Sequence, residues 1–204
     1  MPAPDGPSTY VSIYPVDPMP PAIAALRATT EPVWLFAYGS LMWNPEFEYA
    51  ERRPAYLRGF HRSFCLYSRD YRGTPEQPGL VLGLDRGGSC HGIAYRLPDK
   101  QRGAVLDRIW AREMTGMVYT MRRVPVVTGE GPIGAYACVV RRASGDYAGG
   151  LTAQEMAGLL ARAQGGRGTG RDYLSNTVSH LDEMGIRDAL LHRVAALVQQ
   201  IAPG

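Results

Sequence analysis

Cysteine is scarce: Cys65, Cys90 and Cys138 are the only three in 204 residues, odd in number and far apart. That excludes a disulfide framework and points to reduced thiols in a cytoplasm. Long hydrophobic runs are missing too, and none approaches the roughly 20 residues that cross a bilayer. The opening MPAPDGPSTYVSIY has neither a basic start nor a continuous apolar core, so no secretory signal is expected. Charge of one sign is nearly balanced, 22 Lys and Arg against 19 Asp and Glu, and a net +3 does not point to nucleic acid. The four histidines (His61, His91, His180, His192) are scattered without HExxH or CxxC, and no metal site is expected. Gly165-Gly-Arg-Gly-Thr-Gly170 follows a helix rather than a strand and lacks GK[ST], so it reads as a flexible connector and not a phosphate cradle. What remains is 45% hydrophobic and 20% charged, the make-up of one ordinary folded domain.

Eight of the 16 prolines fall in the first 32 residues. Proline removes an amide donor and biases its predecessor away from helix, so residues 1–31 read as an arm, draped on the domain or partly disordered, with at most a short helix around Ile23 to Arg27. The arm carries none of the motifs below, and its removal is expected to leave turnover intact. The domain proper, 32–204, begins with VWLFAY (33–38), an apolar β-rich run stopped by Gly39-Ser40. Residues 55–68 form a longer strand with Gly59 as a bulge, and 80–84, 92–97, 118–127 and 133–140 complete about six strands. The links RDYRGTPEQPG, DRGGSCH and TGEGP read as turns, which places Asp85 and Glu130 in turns. Pro125 marks its strand as an edge or as bulged. Helices are expected at 99–114 with Asp99 as N-cap, from the Thr152–Glu155 capping box to about Ala163, at 171–184 before Gly185, and at 189–201 after an Asp188 cap. Strands, one helix, strands and then three helices give an α+β domain, its mixed sheet curled toward a partly closed β-barrel of about six strands with surrounding helices.

Two places carry chemistry. Ser40 follows a strand in Tyr38-Gly39-Ser40-Leu41, but the GxSxG of a hydrolase elbow is absent. A turn of this kind either simply reverses the chain or presents consecutive amides to a carboxylate or oxyanion. Glu113 is more informative. Leu106, Ile109, Trp110 and Glu113 fall at i, i+3, i+4 and i+7 on one apolar helix face. Its neighbours at −4, −3, +3 and +4 include no basic residue, so no local ion pair is expected. Either it bends into solvent or pairs with a distant arginine, or it is a carboxylate in an apolar pocket, its pKa raised by desolvation and suited to proton transfer.

The segments WLFAYGSLMWNPEFEY, SRDYRGTPEQPGLVLGLDRGGSCHGIAYRLP, IWAREM and GRGTGRDYLSNTVSHL together resemble the ChaC-type γ-glutamylcyclotransferases, from about Trp34 to Leu197. The resemblance implies a γ-glutamylcyclotransferase-like barrel and a cofactor-free reaction. In that reaction the α-amine of a γ-glutamyl group attacks its own γ-carbonyl, releasing 5-oxoproline and, from glutathione, Cys-Gly. It implies Glu113 as general base and Leu35, Phe36, Ala37, Tyr38, Gly39, Ser40 and Leu41 as the substrate-binding turn. Arg72, or Arg69 beside it, is a candidate partner for a substrate carboxylate, the alternative being an ordinary loop arginine. Tyr173, in GRDYLSN, either hydrogen-bonds substrate or packs in the core. The family often has Asp-His-Arg-Gly where this chain has Asp70-Tyr71-Arg72-Gly73, which touches substrate preference rather than reaction class. Other γ-glutamyl amines or amino acids as substrates, and an inactive binding domain on the same scaffold, are the competing readings.

Overall fold

Strand β1 (Trp34–Ala37) is buried at all four residues. Such a run needs partners on both edges, because buried backbone donors and acceptors must be paired. It finds them in β3 (Gly79–Arg96), antiparallel from Trp34–Arg96 to Ala37–Ile93, and in β5 (Gly131–Val140), parallel at Trp34–Ala135. The computed structural model, which describes residues 12–201, closes the strands into a barrel in the order β1-β3-β2-β4-β5, with β2 at Glu51–Ser68 and β4 at Tyr119–Thr128. The chain divides into two units. One takes Tyr14–Arg62 and Leu84–Arg141; the other joins Ser63–Gly83 to the chain from Arg142 onward, with Ser12 and Ile13.

In the first unit the core gathers Phe36, Leu57, Leu84, Ala94, Val126 and Val139, all at most 3% exposed. Each large aliphatic or aromatic side chain buried there contributes about 1.5–3 kcal/mol relative to exposure. Two expectations are corrected here. The stretches read as separate strands at 80–84 and 92–97 are one strand, β3, and Asp85 lies inside it, 6% exposed. Gly87 and Gly88 have φ of +100° and +65° and are carried within the strand instead of reversing it. The barrel therefore has five strands rather than six. β4 is not an edge either: it pairs with β2 through Ala55–Thr128 to Leu57–Val126 and with β5 along its whole length, Pro125 facing Gly134.

Helices α1 (Pro21–Ala24) and α2 (Arg102–Glu113) belong to the same unit, α1 running on into a 3₁₀ turn at Ala25–Arg27. The N-cap of α2 is Gln101, not Asp99; Asp99 instead pairs with Arg102 Nη2 at 2.5 Å. Three arm residues of this unit contact α2. Arg27 pairs with Asp107, Arg102 donates to the Thr29 carbonyl, and Trp110 Nε1 donates to the Asp17 carbonyl at 2.7 Å. The arm is thus part of the packing around α2.

The second unit contains α3 (Ala153–Arg162), α4 (Gly170–Glu183) and α5 (Ala189–Gln200). Their starts follow the sequence: Thr152 and Glu155 form the full capping box, and Asp188 accepts the Leu191 amide. Leu160, Leu174, Leu181, Leu191 and Val194 make the core, each at most 2% exposed. Residues 164–170 are a correction, since they are no flexible connector. Gln164–Gly165 (β6) and Gly168–Thr169 (β7) form a two-stranded hairpin docked on the 70–73 loop. Gly166 N donates to the Asp70 carbonyl at 2.9 Å and Arg167 N to the Tyr71 carbonyl at 2.8 Å. A Cβ on Gly165 would fall 2.5 Å from Gly73 N, so the close docking needs that glycine. Among the described residues no helix is long and apolar enough to cross a membrane.

Candidate active site

β1 delivers the chain at Tyr38-Gly39 into a 3₁₀ turn, Ser40–Met42. Within the turn Met42 N bonds the Gly39 carbonyl (2.8 Å), and Trp43 N and Asn44 N bond the Ser40 carbonyl (3.2 and 2.8 Å). The turn's own bonding begins at Met42 N, so the amides of Ser40 and Leu41 are those a 3₁₀ start leaves over. Both ends of the segment are anchored. Tyr38 Oη donates to the Cys138 carbonyl at 2.8 Å. The Tyr38 carbonyl accepts from Arg62 Nε, whose Nη2 reaches the His91 carbonyl (2.7 Å) and Met42 Sδ (3.6 Å). Arg62 is only 3% exposed, and its guanidinium fixes the turn's entry and exit together. Gly92 permits the close approach of β3 here: a Cβ on it would meet the Ala37 carbonyl at 2.3 Å.

Glu113 is the last residue of α2. Leu106, Ile109 and Trp110 on its face are buried, while the Glu113 side chain is 21% exposed. The expectation of no local ion pair is corrected: Arg112 Nε lies 3.0 Å from Glu113 Oε1. The same guanidinium donates to Ser40 Oγ (3.1 Å) and the Asn44 carbonyl (2.9 Å), and sits 3.0 Å from Glu46 Oε2. Arg112 therefore ties the carboxylate to the turn that sequence reading treated separately. Sequence spacing hid it, since i and i+1 residues do not face each other on a helix. Across the site Cys138 is 4% exposed, and its thiol pKa is pushed well up by burial first and by the Glu113 charge second. That coupling puts the Glu113 carboxylate within electrostatic reach of β5.

In the second unit Arg72 and Tyr173 meet: the guanidinium stacks over the ring at 4.7 Å, and Phe64 closes the other side edge-on at 5.7 Å. Arg72 Nη1 donates to the Arg167 carbonyl, and its amide bonds Ser68 Oγ at 3.0 Å. Arg167 in turn lies over Tyr71 at 4.8 Å, which gives the tyrosine at that position a packing partner. Arg69 is engaged elsewhere, 2.9 Å from Asp146 Oδ1 and 3.2 Å from the Pro75 carbonyl. Among the described residues no three His, Cys, Asp or Glu side chains gather as a metal site.

A closed five-stranded mixed barrel with a carboxylate at a helix end, tied to a β-strand turn, defines the class as an α+β barrel fold. The chain belongs to the ChaC-like protein family, whose model matches residues 33–201. It is 36% identical over 181 residues to the glutathione-specific gamma-glutamylcyclotransferase of Escherichia coli (strain K12), covering 88% of this chain and 78% of that one. It is 33% identical over 156 residues to gamma-glutamylcyclotransferase 2-1 of Arabidopsis thaliana, 70% of each chain. The fold is that of the crystal structure of a yeast gamma-glutamyl cyclotransferase specific to glutathione, with TM-score 0.77 and 23% identity over 84% of this chain and 97% of that one.

Proposed function

We propose that this protein cleaves glutathione by intramolecular γ-glutamyl cyclotransfer, with Glu113 as general base and acid. The observation that carries this reading is the Arg112 bridge, which sets a part-buried carboxylate beside the YGSL turn in a chain of the ChaC-like family.

The chemistry follows from the groups. An α-ammonium is protonated near neutral pH and is no nucleophile until a base takes a proton. The Glu113 carboxylate accepts it, the freed amine attacks the γ-carbonyl carbon, and a five-membered ring closes. The bond from that carbon to the cysteinyl nitrogen then breaks, and Glu113 returns the proton to the departing amine. The products are 5-oxoproline and Cys-Gly, and no water, oxidant or cofactor enters the balance. Because the attack is intramolecular, the protein has only to hold the substrate folded and stabilise the developing oxyanion. Amides at the start of the Ser40–Met42 turn are suited to that, and one such donor is typically worth about 10²–10³ in rate. Of the segment Leu35 to Leu41, Leu35, Phe36 and Ala37 are buried in β1 and Gly39 and Ser40 are the half-buried residues, so the γ-glutamyl group lies against the turn itself. A cytoplasmic location, the reading from the three scattered cysteines, completes the proposal.

Incubating the pure protein with glutathione and quantifying Cys-Gly and 5-oxoproline tests the reading. Equal amounts of both products are expected. 5-Oxoproline only from other γ-glutamyl amines or amino acids would move the substrate class, and no product from any of them would leave an inactive binding domain.

A further inference from the structure

The arm lies outside the segment matched by the family model, yet it reaches the residues that follow Glu113. α2 stops at Glu113, and Met114 leaves the helix with φ −103° and ψ 72°. The chain then turns through Gly116 (φ +68°) and Met117 (φ +57°) before β4 begins at Tyr119. A methionine in the left-handed region is strained by about 1 kcal/mol or more and persists only where neighbours over-determine it. The arm does so. Asp17 N donates to the Met114 carbonyl at 2.8 Å, and Val16 bridges Thr115. Asp17 Oδ1 accepts the Met117 amide at 3.0 Å, and the Asp17 carbonyl accepts Trp110 Nε1 at 2.7 Å. Asp17 is 8% exposed, a buried carboxylate on a backbone amide. One residue thus holds Trp110 one turn before Glu113, and Met114 and Met117 just after it.

We propose that Asp17 is a positioning residue for Glu113: by fixing the 114–117 turn it sets where α2 ends and where the carboxylate points. This rests on the reading of Glu113 as the base. A misplacement of about 1 Å in such a group costs on the order of 10² in rate, so a modest loosening of the turn is visible in kcat.

The test compares Asp17→Ala, Asp17→Asn, Glu113→Gln and the double variant Asp17→Ala/Glu113→Gln. Asp17→Ala removes the carboxylate but keeps both backbone bonds; Asp17→Asn keeps an oxygen acceptor. With glutathione, Asp17→Ala is expected to lower kcat about tenfold with KM within about twofold. Asp17→Asn should retain most of the turnover, and Asp17→Ala should add little in the Glu113→Gln background. Amide hydrogen exchange is the activity-independent readout. The Met117 amide should exchange more than about tenfold faster in Asp17→Ala, while the β4–β5 ladder keeps its protection. Unchanged kcat, a full loss repeated in the Glu113→Gln background, or unaltered exchange at Met117 would each overturn the proposal. If the wild type turns over no γ-glutamyl compound, the proposed function fails on its own, and the exchange comparison still decides whether Asp17 holds the turn.

Discussion

Arg112 Nε lies 3.0 Å from Glu113 Oε1, an ion pair between sequence neighbours at the end of α2. Within a helix such neighbours point about 100° apart and do not meet. Here the helix stops at Glu113, Nε meets the carboxylate, and the other guanidinium nitrogens are held by Ser40, Asn44, Pro45 and Glu46. With its side chain 13% exposed, Arg112 is pre-set by five partners, the Pro45 carbonyl at 3.3 Å among them, and the carboxylate is oriented by a group that cannot easily move.

Replacing that fork tests its role. Arg112→Lys keeps the charge but offers a point ammonium in place of a planar donor array. It cannot serve Ser40 and Glu113 at once. We expect kcat on glutathione to fall about tenfold and thermal stability to drop by about 1.5–3 kcal/mol for the lost charge-assisted bonds. Wild-type kcat in a folded Arg112→Lys protein would show that the bridge between turn and carboxylate has no catalytic weight.

Arg72 and Tyr173 are both candidates for substrate binding, and the structure stacks them on each other. If the arginine also holds a substrate carboxylate, Arg72→Ala raises KM for glutathione at least about tenfold, the loss of one bidentate pair. Tyr173→Phe keeps the ring under the guanidinium and its edge contact with Phe64. Any rise in its KM is therefore read from the lost hydroxyl and would assign it to substrate. An unchanged KM in both variants, measured by initial rates, would leave the pair a packing contact.

Much of this architecture is legible in residue order. β1, the capping box at Thr152–Glu155, the Asp188 cap and the apolar face of α2 follow from short-range pattern, because each is decided within one or two turns of chain. Glu113 stood out because a carboxylate broke an apolar period. What stayed hidden depends on distant partners. Gly87-Gly88 reads as a turn until β2 is known to run beside it, with His61 Nδ1 3.0 Å from the Gly87 carbonyl, and Arg167 reads as linker until the Asp70 and Tyr71 carbonyls are in place. Arg62, Arg112 and Asp17 act through carbonyls and amides 24 to 100 residues away, and no periodicity signals that.

Gly92 is the point at which β3 can approach the end of β1. Gly92→Ala would put a methyl 2.3 Å from the Ala37 carbonyl and 2.7 Å from the Phe36 ring, inside a closed barrel with little room to give. Overpacking of this kind costs about 1–3 kcal/mol, which for a chain of this size lowers Tm by roughly 2–10 °C. Gly129→Ala, with nothing within 4 Å of the added carbon, is the control and should melt like the wild type. Equal Tm values for the two variants would contradict the close approach.

His192 links α5 to α4. Its Nδ1 lies 2.7 Å from the Asp188 carbonyl and its Nε2 3.0 Å from Asp182 Oδ1. The Asp188 carbonyl, and then the Asp182 carboxylate, raise its pKa above the usual 6.5, partly opposed by burial and by Arg187. A raised folded-state pKa means the protonated ring stabilises the fold. That contribution is complete below about pH 6.5 and is lost as pH rises through the folded-state value. The Tm gap between wild type and His192→Gln should be larger at pH 5.5 than at pH 8.5, and should shrink in high salt. A gap independent of pH would mean the ring is held only by neutral hydrogen bonding.

Glu113→Gln is the decisive substitution for the mechanism. Glutamine has the same length and still offers a side-chain oxygen to Arg112 Nε, so the helix end and the Ser40 contact survive. Arg112 also keeps Glu46 as a counter-charge, and the fold should melt within a few degrees of the wild type. An amide cannot take the ammonium proton, however, and cannot hand one to the departing cysteinyl nitrogen. Both proton transfers are lost together, and kcat is expected to fall at least about 10², the low end for a positioned acid–base group. Binding should weaken much less, because only the attraction between carboxylate and α-ammonium is removed. Initial-rate kinetics on glutathione, alongside thermal melts, separate the two effects. A large drop in kcat with a preserved melt is the expected signature. A folded Glu113→Gln enzyme turning over at close to the wild-type rate would exclude Glu113 as the base, and the orientation supplied by Arg112 would then need another purpose.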